Sequence, residues 1–221
     1  MIDGEENEDS ASSRGRSGLR MRWASIPTRC TSLRAGRLRV SILVVLVAVL
    51  AVACSSTKEG AASLSERWWN WQGAFPEETN PVLDRTGEFC RLGQPSDGDW
   101  LVAGSFGTSE SRRCSVPVGS RLVGPLLNIF DTEDRGTSML LSEGSSVRLD
   151  GERLKTFEER VRFRLRTVSR NPACNSCDVE VFAHGYWFRT EPLSSGAHRL
   201  VIDGRDASGF RTFVEYELVA E

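Results

Sequence analysis

Hydrophobic and polar residues change rhythm three times along these 221 residues. Residues 1–20 are acidic, then rich in Ser, Arg and Gly, and hold too little apolar surface to bury a core. Residues 40–53 then form a 14-residue apolar run broken only by Ser41 and led by Arg34, Arg37 and Arg39. A helix that crosses a membrane takes about 20 apolar residues, so the run is short for an anchor. Its length and basic lead match the apolar region of an export signal, and Ala51-Val52-Ala53 supplies the small residues of a cleavage site. A polar tether follows over residues 54–63, too poor in apolar side chains to pack. A helical period then appears: Leu64, Trp68 and Trp71 stand at i, i+4 and i+7. Ser63 lies three residues before Glu66, a capping-box spacing, and Gly73 and Pro76 stop the pattern, so a short helix is predicted over 64–72.

Beyond residue 100 the period falls to two. Residues 100–106 read as a buried strand, followed by 113–116 and by 120–130, which Gly124-Pro125 interrupts. Asp150-Gly151 suits a type I′ turn between strands at 146–149 and 152–155. The clearest strand is 160–167, where Val161, Phe163 and Leu165 alternate with Arg160, Arg162, Arg164 and Arg166. Residues 178–182 alternate likewise, and Gly185 is expected to break that strand before 186–189. A last pair is expected at 198–202 and 210–219. Many short strands with frequent turns predict a mainly β protein, an antiparallel β-sandwich of jelly-roll or Ig-like type with one short N-terminal helix. The expected organisation is a disordered N-terminus and signal peptide at 1–53, with Met21 as the true start, a tether at 54–63, and a single domain at 64–221.

Cys54 directly follows the small triplet, and the stretch resembles the lipobox of bacterial lipoproteins. The resemblance implies that Cys54 is acylated and becomes the mature N-terminus. Leu50, not residue 51, carries the leucine usual in that motif. Two other outcomes are weighed: cleavage that releases a secreted protein, and an uncleaved anchor. Removing 53 residues from 221 leaves 168, enough for one domain with a real core. The whole chain carries −2, and residues 1–53 hold eight Arg against five Asp or Glu, so the mature part carries −5. A mildly acidic exported domain is not built to bind nucleic acid or other polyanions in bulk.

Cys30 would leave with the signal, and Cys90, Cys114, Cys174 and Cys177 remain in an oxidising compartment. Of the three connectivities four cysteines allow, we expect Cys90–Cys114 and Cys174–Cys177. The first would contribute roughly 3 kcal/mol by loop closure. Cys174 and Cys177 could instead form a redox pair, or half a zinc site completed by His184 and His198.

Two surfaces are candidates for ligand contact. Trp68, Trp69 and Trp71 could stack on sugar rings, against the alternative that they dock the helix onto the sandwich. Arg160, Arg162, Arg164 and Arg166 share one strand face and could meet an anionic polymer. Their alternative is cross-strand pairing, for which Asp178 and Glu180, or Glu215 and Glu217, have the right parity. Asp131, Glu133 and Asp134 with Asp97 and Asp99 could bind calcium through their oxygens, but the spacing is not that of an EF-hand and they read as solvated loops. His198 reads as structural. No hydrolase, zincin or phosphate-loop motif occurs, and no cofactor or metal is expected.

A wider set of residues carries a second resemblance. It comprises Trp69-x-Trp71, Asn80-Pro81, Asp84, Gly87, Cys90, Gln94, Trp100, Ala103-Gly104, and Arg112 and Arg113 before Cys114. It continues through Val116-Pro117-x-Gly119, Pro125, Asn128, Gly185-Tyr186-Trp187, Pro192-Leu193, Gly196-x-His198 and Leu200. Over nearly all of residues 66–204 the chain resembles a widespread, uncharacterised family of exported bacterial proteins. The resemblance implies a β-rich exported domain with a Cys90–Cys114 bridge, and it implies no activity. Where that pattern has Asp before Gly-Tyr-Trp, this chain has His184. The expected function is therefore that of a cell-envelope lipoprotein, held to the membrane through Cys54, that binds an envelope glycan or anionic polymer without catalysis. The competing expectation is a secreted or anchored carbohydrate hydrolase using paired carboxylates.

Overall fold

Helix α1, Leu64–Gly73, covers one face of a β-sheet, and a second sheet covers the other. The computed structural model describes residues 62–134 and 139–221, which belong to one compact unit, 58–221. The expected export signal, Cys30, Cys54 and nearly all of the expected tether lie outside the described residues.

Among the described residues nine strands follow the helix: β1 Asp99–Leu101, β2 Ser109–Val116, β3 Arg121–Asp131, β4 Ser146–Leu149, β5 Glu152–Arg153, β6 Phe157–Arg166, β7 Asp178–Arg189, β8 Gly196–Arg205 and β9 Arg211–Ala220. One sheet has the order β1-β3-β7-β6 and the other β2-β9-β8-β4-β5. Trp100, Leu122, Leu126 and Phe188 of the first meet Val147, Leu200, Val214 and Tyr216 of the second in a continuous apolar core. On the far side of the first sheet, Val123, Leu165, Val181 and Trp187 pack against Leu64, Trp68, Trp69 and Trp71 of α1. This is a mainly β protein of two sheets packed together with one short N-terminal helix.

The sheets are mixed and not wholly antiparallel as expected. β1 runs parallel to β3, and β2 runs parallel to β9. Parallel neighbours need a crossover in place of a hairpin. β1 and β3 are joined through β2 in the opposite sheet, and β2 and β9 through everything between them. The expected strand at 100–106 pairs as a strand only through Leu101. Beyond it the chain passes from one sheet to the other, so side chains take over its backbone bonds: Tyr216 Oη accepts from Ala103 N–H and donates to Ala103 O. Gly185 does not break β7, which runs unbroken from Asp178 to Arg189. It faces Asn128 of β3, and a Cβ there would lie 2.6 Å from Trp187 Nε1. The glycine therefore makes room for an indole and does not end the strand. Gly124-Pro125 likewise falls within β3, at a bulge between Pro125 and Leu127. The Asp150-Gly151 hairpin forms with both residues at positive φ, 52° and 87°, as a type I′ turn requires.

Both helix ends are tied to the sheet. Ser63 Oγ accepts from Glu66 N–H, and the Glu159 carboxylate of β6 accepts from Leu64 N–H at 3.2 Å and Ser65 N–H at 2.7 Å. A carboxylate there meets both the free amides and the positive end of the helix dipole. At the other end, the side-chain amides of Asn80 and Asn171 both donate to Gln72 O and Phe75 O. Cys174 and Cys177 are bonded to each other in the β6–β7 loop that carries Asn171. Thr167 Oγ1 accepts from Cys177 N–H, closing that loop onto the end of β6. The other bridge, Cys90–Cys114, ties the segment before β1 to β2.

Arg112 of β2 is buried at 1% exposure, with no carboxylate in direct contact. Its guanidinium donates five hydrogen bonds: to Asp84 O at 2.6 Å, Ala103 O at 3.0 Å, Gly104 O at 3.1 Å, Tyr216 Oη at 2.8 Å and Val82 O at 3.1 Å. Arg112→Met keeps much of the volume and removes every donor. It is expected to cost about 3 kcal/mol or more in denaturant unfolding, because the carbonyls of Val82, Asp84 and Gly104 lose their partner. A loss below about 1 kcal/mol would show that the guanidinium does not hold these segments together.

Candidate functional site

The tryptophan face turns inward. Trp68, Trp69 and Trp71 are exposed by only 2%, 4% and 7%, so they do not form the open stacking surface proposed from sequence. A ten-residue helix has no stability of its own, and its apolar face must be buried for it to persist. Trp68 Nε1 donates to Val102 O and Trp71 Nε1 to Leu92 O, each at 2.9 Å. Trp69 stands against Phe130 with ring centroids 4.7 Å apart.

The arginine stripe does share one exposed face, and it is neutralised largely from within. Arg164 meets Asp178 at 2.5 Å, Arg166 meets the same carboxylate at 3.5 Å, Arg160 meets Glu158 at 3.1 Å, and Arg162 pairs with Glu180. The Arg162 guanidinium also lies over the Phe182 ring, 5.5 Å from its centroid. Four arginines against three carboxylates leave +1, too little for strong capture of a polyanion. Glu215 and Glu217 instead pair with Arg199 and Arg113. A shallow depression of about 210 Å³ beside the stripe is lined by Asp134, Arg160, Arg162 and Phe182.

Asp97 and Asp99 are committed to cations of the protein itself. Asp99, 4% exposed, accepts from Arg67 at 2.9 Å, Arg189 at 2.8 Å and Arg121 at 3.3 Å, and Asp97 takes the other Arg67 amine at 2.8 Å. Burial alone would raise the Asp99 carboxyl; the hydrogen bonds of Arg67 and Arg121 and the Arg189 charge outweigh it and hold it below the usual range. A glycosidase acid needs the opposite shift. Among the described residues no group of three or more His, Cys, Asp or Glu side chains is placed to hold a metal ion.

The two histidines hold their protons differently. His184, 1% exposed, accepts from Met139 N–H at Nδ1, 3.0 Å away, so its proton is on Nε2, which lies 2.9 Å from Glu158 Oε1. His198 is flanked by acceptors on both sides: Asp150 Oδ2 is 2.7 Å from Nδ1 and Ser194 O is 2.9 Å from Nε2. Ser194 Oγ stands 3.5 Å from Nε2, so Asp150, His198 and Ser194 fall in the order of a catalytic triad. Nε2 must accept a proton in such a triad, whereas here it gives one to the nearer carbonyl. The arrangement is a clamp between the β4–β5 hairpin and β8.

What remains is a cavity of about 50 Å³ between α1 and the first sheet, with a floor of Trp68 and Trp69 and walls that include Val82, Pro125 and Leu127. At its rim stand Phe106, 42% exposed, and Phe210, 41% exposed, from the β1–β2 and β8–β9 loops. Trp69 and Asn128 both line it, but the indole Nε1 of the one and the side-chain Nδ2 of the other are fully enclosed, without a hydrogen-bond partner and out of reach of the cavity's contents. Another depression, of about 250 Å³, borders Trp71 and Arg67, but there the indole and the guanidinium are already bonded. Sequence reasoning singled out Trp69 but neither Phe ring as a contact. The one available signal was Phe106 and Phe210 each standing beside Gly-containing turn residues at the end of a strand.

The His198 clamp has a pH signature. The hydrogen bonds to Asp150 and Ser194 raise the imidazole above its ordinary value near 6.5. Burial would raise the Asp150 carboxyl, but the hydrogen bonds from His198 and Arg199 N–H outweigh it and lower it. The clamp's stabilisation is therefore full between about pH 4 and about pH 6.5. It is lost as pH rises through the elevated imidazole value, and also as pH falls through the depressed carboxyl value. An NMR titration of His198 should give a midpoint above 6.5, and Asp150→Asn should bring it down. A wild-type midpoint at or below about 6.5 would refute the clamp.

No protein-family model matches the chain, and no characterised protein sequence matches it. A solved structure with partial similarity is the solution structure of amebosin, 12% identical, covering 50% of this chain and 95% of that one with a TM-score of 0.24. A likeness at that level carries neither fold nor function. The two disulfides point to an oxidising, extracytoplasmic location, and no helix among the described residues is long and apolar enough to cross a membrane.

Proposed function

We propose that this chain is a binding module of the bacterial cell envelope, tethered at the outer face of the membrane through an acylated Cys54, and that its ligand is an envelope glycan. The observation that carries the reading is the cavity beside α1: two exposed aromatic rings, Phe106 and Phe210, border a mainly apolar opening. Exposed aromatic rings at the mouth of a mainly apolar cavity with a few placed polar groups are what small-ligand recognition uses. The arginine stripe is the weaker candidate, because its charges are largely matched by Glu158, Glu180 and Asp178.

For the fold we propose the Ig-like arrangement. The order β1-β3-β7-β6 corresponds to the A-B-E-D sheet of that sandwich, and β9-β8-β4-β5 to its G-F-C sheet with an added edge strand. The parallel β1–β3 pair departs from it, as does apolar packing of Leu122 and Leu200 where antibody domains carry an inter-sheet disulfide. Such a sandwich supports many roles, so function rests on the cavity.

The tether supports this reading through arithmetic of anchoring. Each buried CH₂ adds about 0.8 kcal/mol, so several acyl chains on one cysteine hold firmly where one does not. Full-length protein made in a bacterial host is expected in the membrane fraction, with mature mass beginning at an acylated Cys54, and Cys54→Ser is expected to abolish the acyl mass. Isolated cell-wall sacculi should retain the detergent-solubilised protein, and Phe106→Ala with Phe210→Ala should weaken retention about tenfold. An uncleaved chain in the cytosol would overturn the address, and no retention on sacculi would overturn the binding role.

A further inference from the structure

Strand β6 lies at the edge of the first sheet, and only part of that edge is closed. On its inner side β6 pairs with β7, from Phe157 opposite Trp187 to Arg166 opposite Asp178. On its outer side Asn70 of α1 stands in for a neighbouring strand. Its Oδ1 accepts from Arg166 N–H at 2.9 Å, and its Nδ2 donates to Arg164 O at 3.3 Å. The N–H and C=O of one strand residue point the same way, and successive residues alternate. The even-numbered residues of β6 therefore aim their backbone groups outward. Thr167 N–H, bonded to Cys177 O on the β7 side, fits the odd-numbered set. Glu158, Arg160 and Arg162 thus turn their N–H and C=O groups outward, and among the described residues nothing bonds them. Other edges are met: Gln94 accepts from Leu101 N–H and donates to Leu101 O, and Thr86 O accepts from Arg113 N–H.

The charges on this open stretch match its own reverse. Asn70 holds the edge from Arg164 onward, so an added strand has residues 157–163 to cover, and Arg160 is their centre. An antiparallel copy centred there sets Glu158 opposite Arg162 twice, each pair on one sheet face. Arg160 meets Arg160, an unfavourable pair, but each lies diagonal to both Glu158 carboxylates. With Glu180, the present partner of Arg162, each copy brings Arg160 and Arg162 against Glu158 and Glu180, so no net charge enters the joint. Phe157, 45% exposed, comes opposite Phe163 of the second copy. The adjacent registers fit worse. One residue higher needs the backbone of Arg164, which Asn70 occupies, and sets Arg160 against Arg162. One residue lower needs Thr156, which precedes the strand, and sets Glu159 against Glu159.

We infer that a second copy of this chain pairs antiparallel with β6, centred on Arg160, and joins the first sheets of the two copies into one continuous sheet. Pairing closes the outward groups of Glu158, Arg160 and Arg162 on both copies with about six hydrogen bonds. A joint of this size is weak on its own, and tethering both copies to one surface strengthens it by raising their effective concentration. The inference stands apart from the glycan reading, because the cavity beside α1 takes no part in it.

The test uses the full-length protein in detergent. Sedimentation over a concentration series is expected to show monomer and dimer in exchange. Arg160→Pro removes an N–H that points away from β7, a change an edge strand tolerates. It is expected to weaken the dimer at least about tenfold and to leave the melting curve little changed. Cysteine trapping under a mild oxidant reads the register and keeps the test open if Arg160→Pro does not fold. Arg160→Cys is expected to give a covalent dimer, because directly opposite residues stand about 5.5 Å apart. Arg162→Cys alone is not, because its two copies stand about 14 Å apart. A mixture of the Glu158→Cys and Arg162→Cys proteins is expected to cross-link between the two. A monomer at every concentration would overturn the inference. So would a dimer that a folded Arg160→Pro protein retains, or trapping of Arg162→Cys as ready as that of Arg160→Cys.

Discussion

A positive charge buried without a direct carboxylate partner holds this fold together. Taking a guanidinium out of water costs several kcal/mol unless its donors are met. Arg112 meets that cost with carbonyls that have no ladder partner of their own. Val82 and Asp84 belong to the segment after α1, Ala103 and Gly104 to the crossing between sheets, and Tyr216 to β9. One side chain therefore ties the N-terminal segment, the crossing and the second sheet. The Asp84 carboxylate, which accepts from the amides of Thr86, Gly87 and Phe89, adds a compensating negative charge nearby. The Cys90–Cys114 bridge, two residues further along β2, fastens the same region covalently.

The helix depends on the same principle in a milder form. Ten residues cannot hold a helix in water, so α1 exists because its ends and its apolar face are met by the sheet. Glu159 accepts from the first amides, and Asn80 and Asn171 donate to the Gln72 carbonyl at the other end. Cys174–Cys177 braces the loop that brings Asn171 into place, which gives the pair a structural part distinct from redox exchange or metal ligation. Burying the tryptophan face follows from this. The side chains that looked most like a ligand surface are the ones the helix cannot spare.

Alternation in residues 160–167, the helical spacing of Leu64, Trp68 and Trp71, and Asp-Gly at 150–151 made β6, α1 and the β4–β5 hairpin readable in advance. Each is a local pattern whose cause lies within a few residues. Parallel pairing of β1 and β2 was not readable, because periodicity reports which way a side chain faces and not which strand it faces. Gly185 misled for a related reason: a glycine in a strand marks either a break or a close approach, and only Trp187 folding over it decides. Arg112 and Arg113 adjoin in sequence, yet one is buried among carbonyls and the other pairs with Glu217 at the surface. Strand parity puts them on opposite faces, but which face is the core depends on β9. The rim of Phe106 and Phe210 comes from two loops 104 residues apart, and no local rule joins them.

The unpartnered donors acquire meaning against this background. Asn80, Asn171, Trp68 and Trp71 are all hydrogen-bonded within the protein, and Arg112 satisfies its donors on five acceptors. Three nitrogen donors, of Trp69, Asn128 and Trp187, are nevertheless unmet where β3 and β7 face the helix, and Ser65 Oγ and Gln72 Nε2 are unmet as well. Unmet buried donors cost roughly 1–3 kcal/mol each, so retaining them is a local weakness in the absence of an acceptor from outside. Replacing Asn128 by an apolar residue would remove one such cost, and a module with no ligand there would gain stability from the change. That cost is carried by the bonded frame around it, where the helix meets the first sheet.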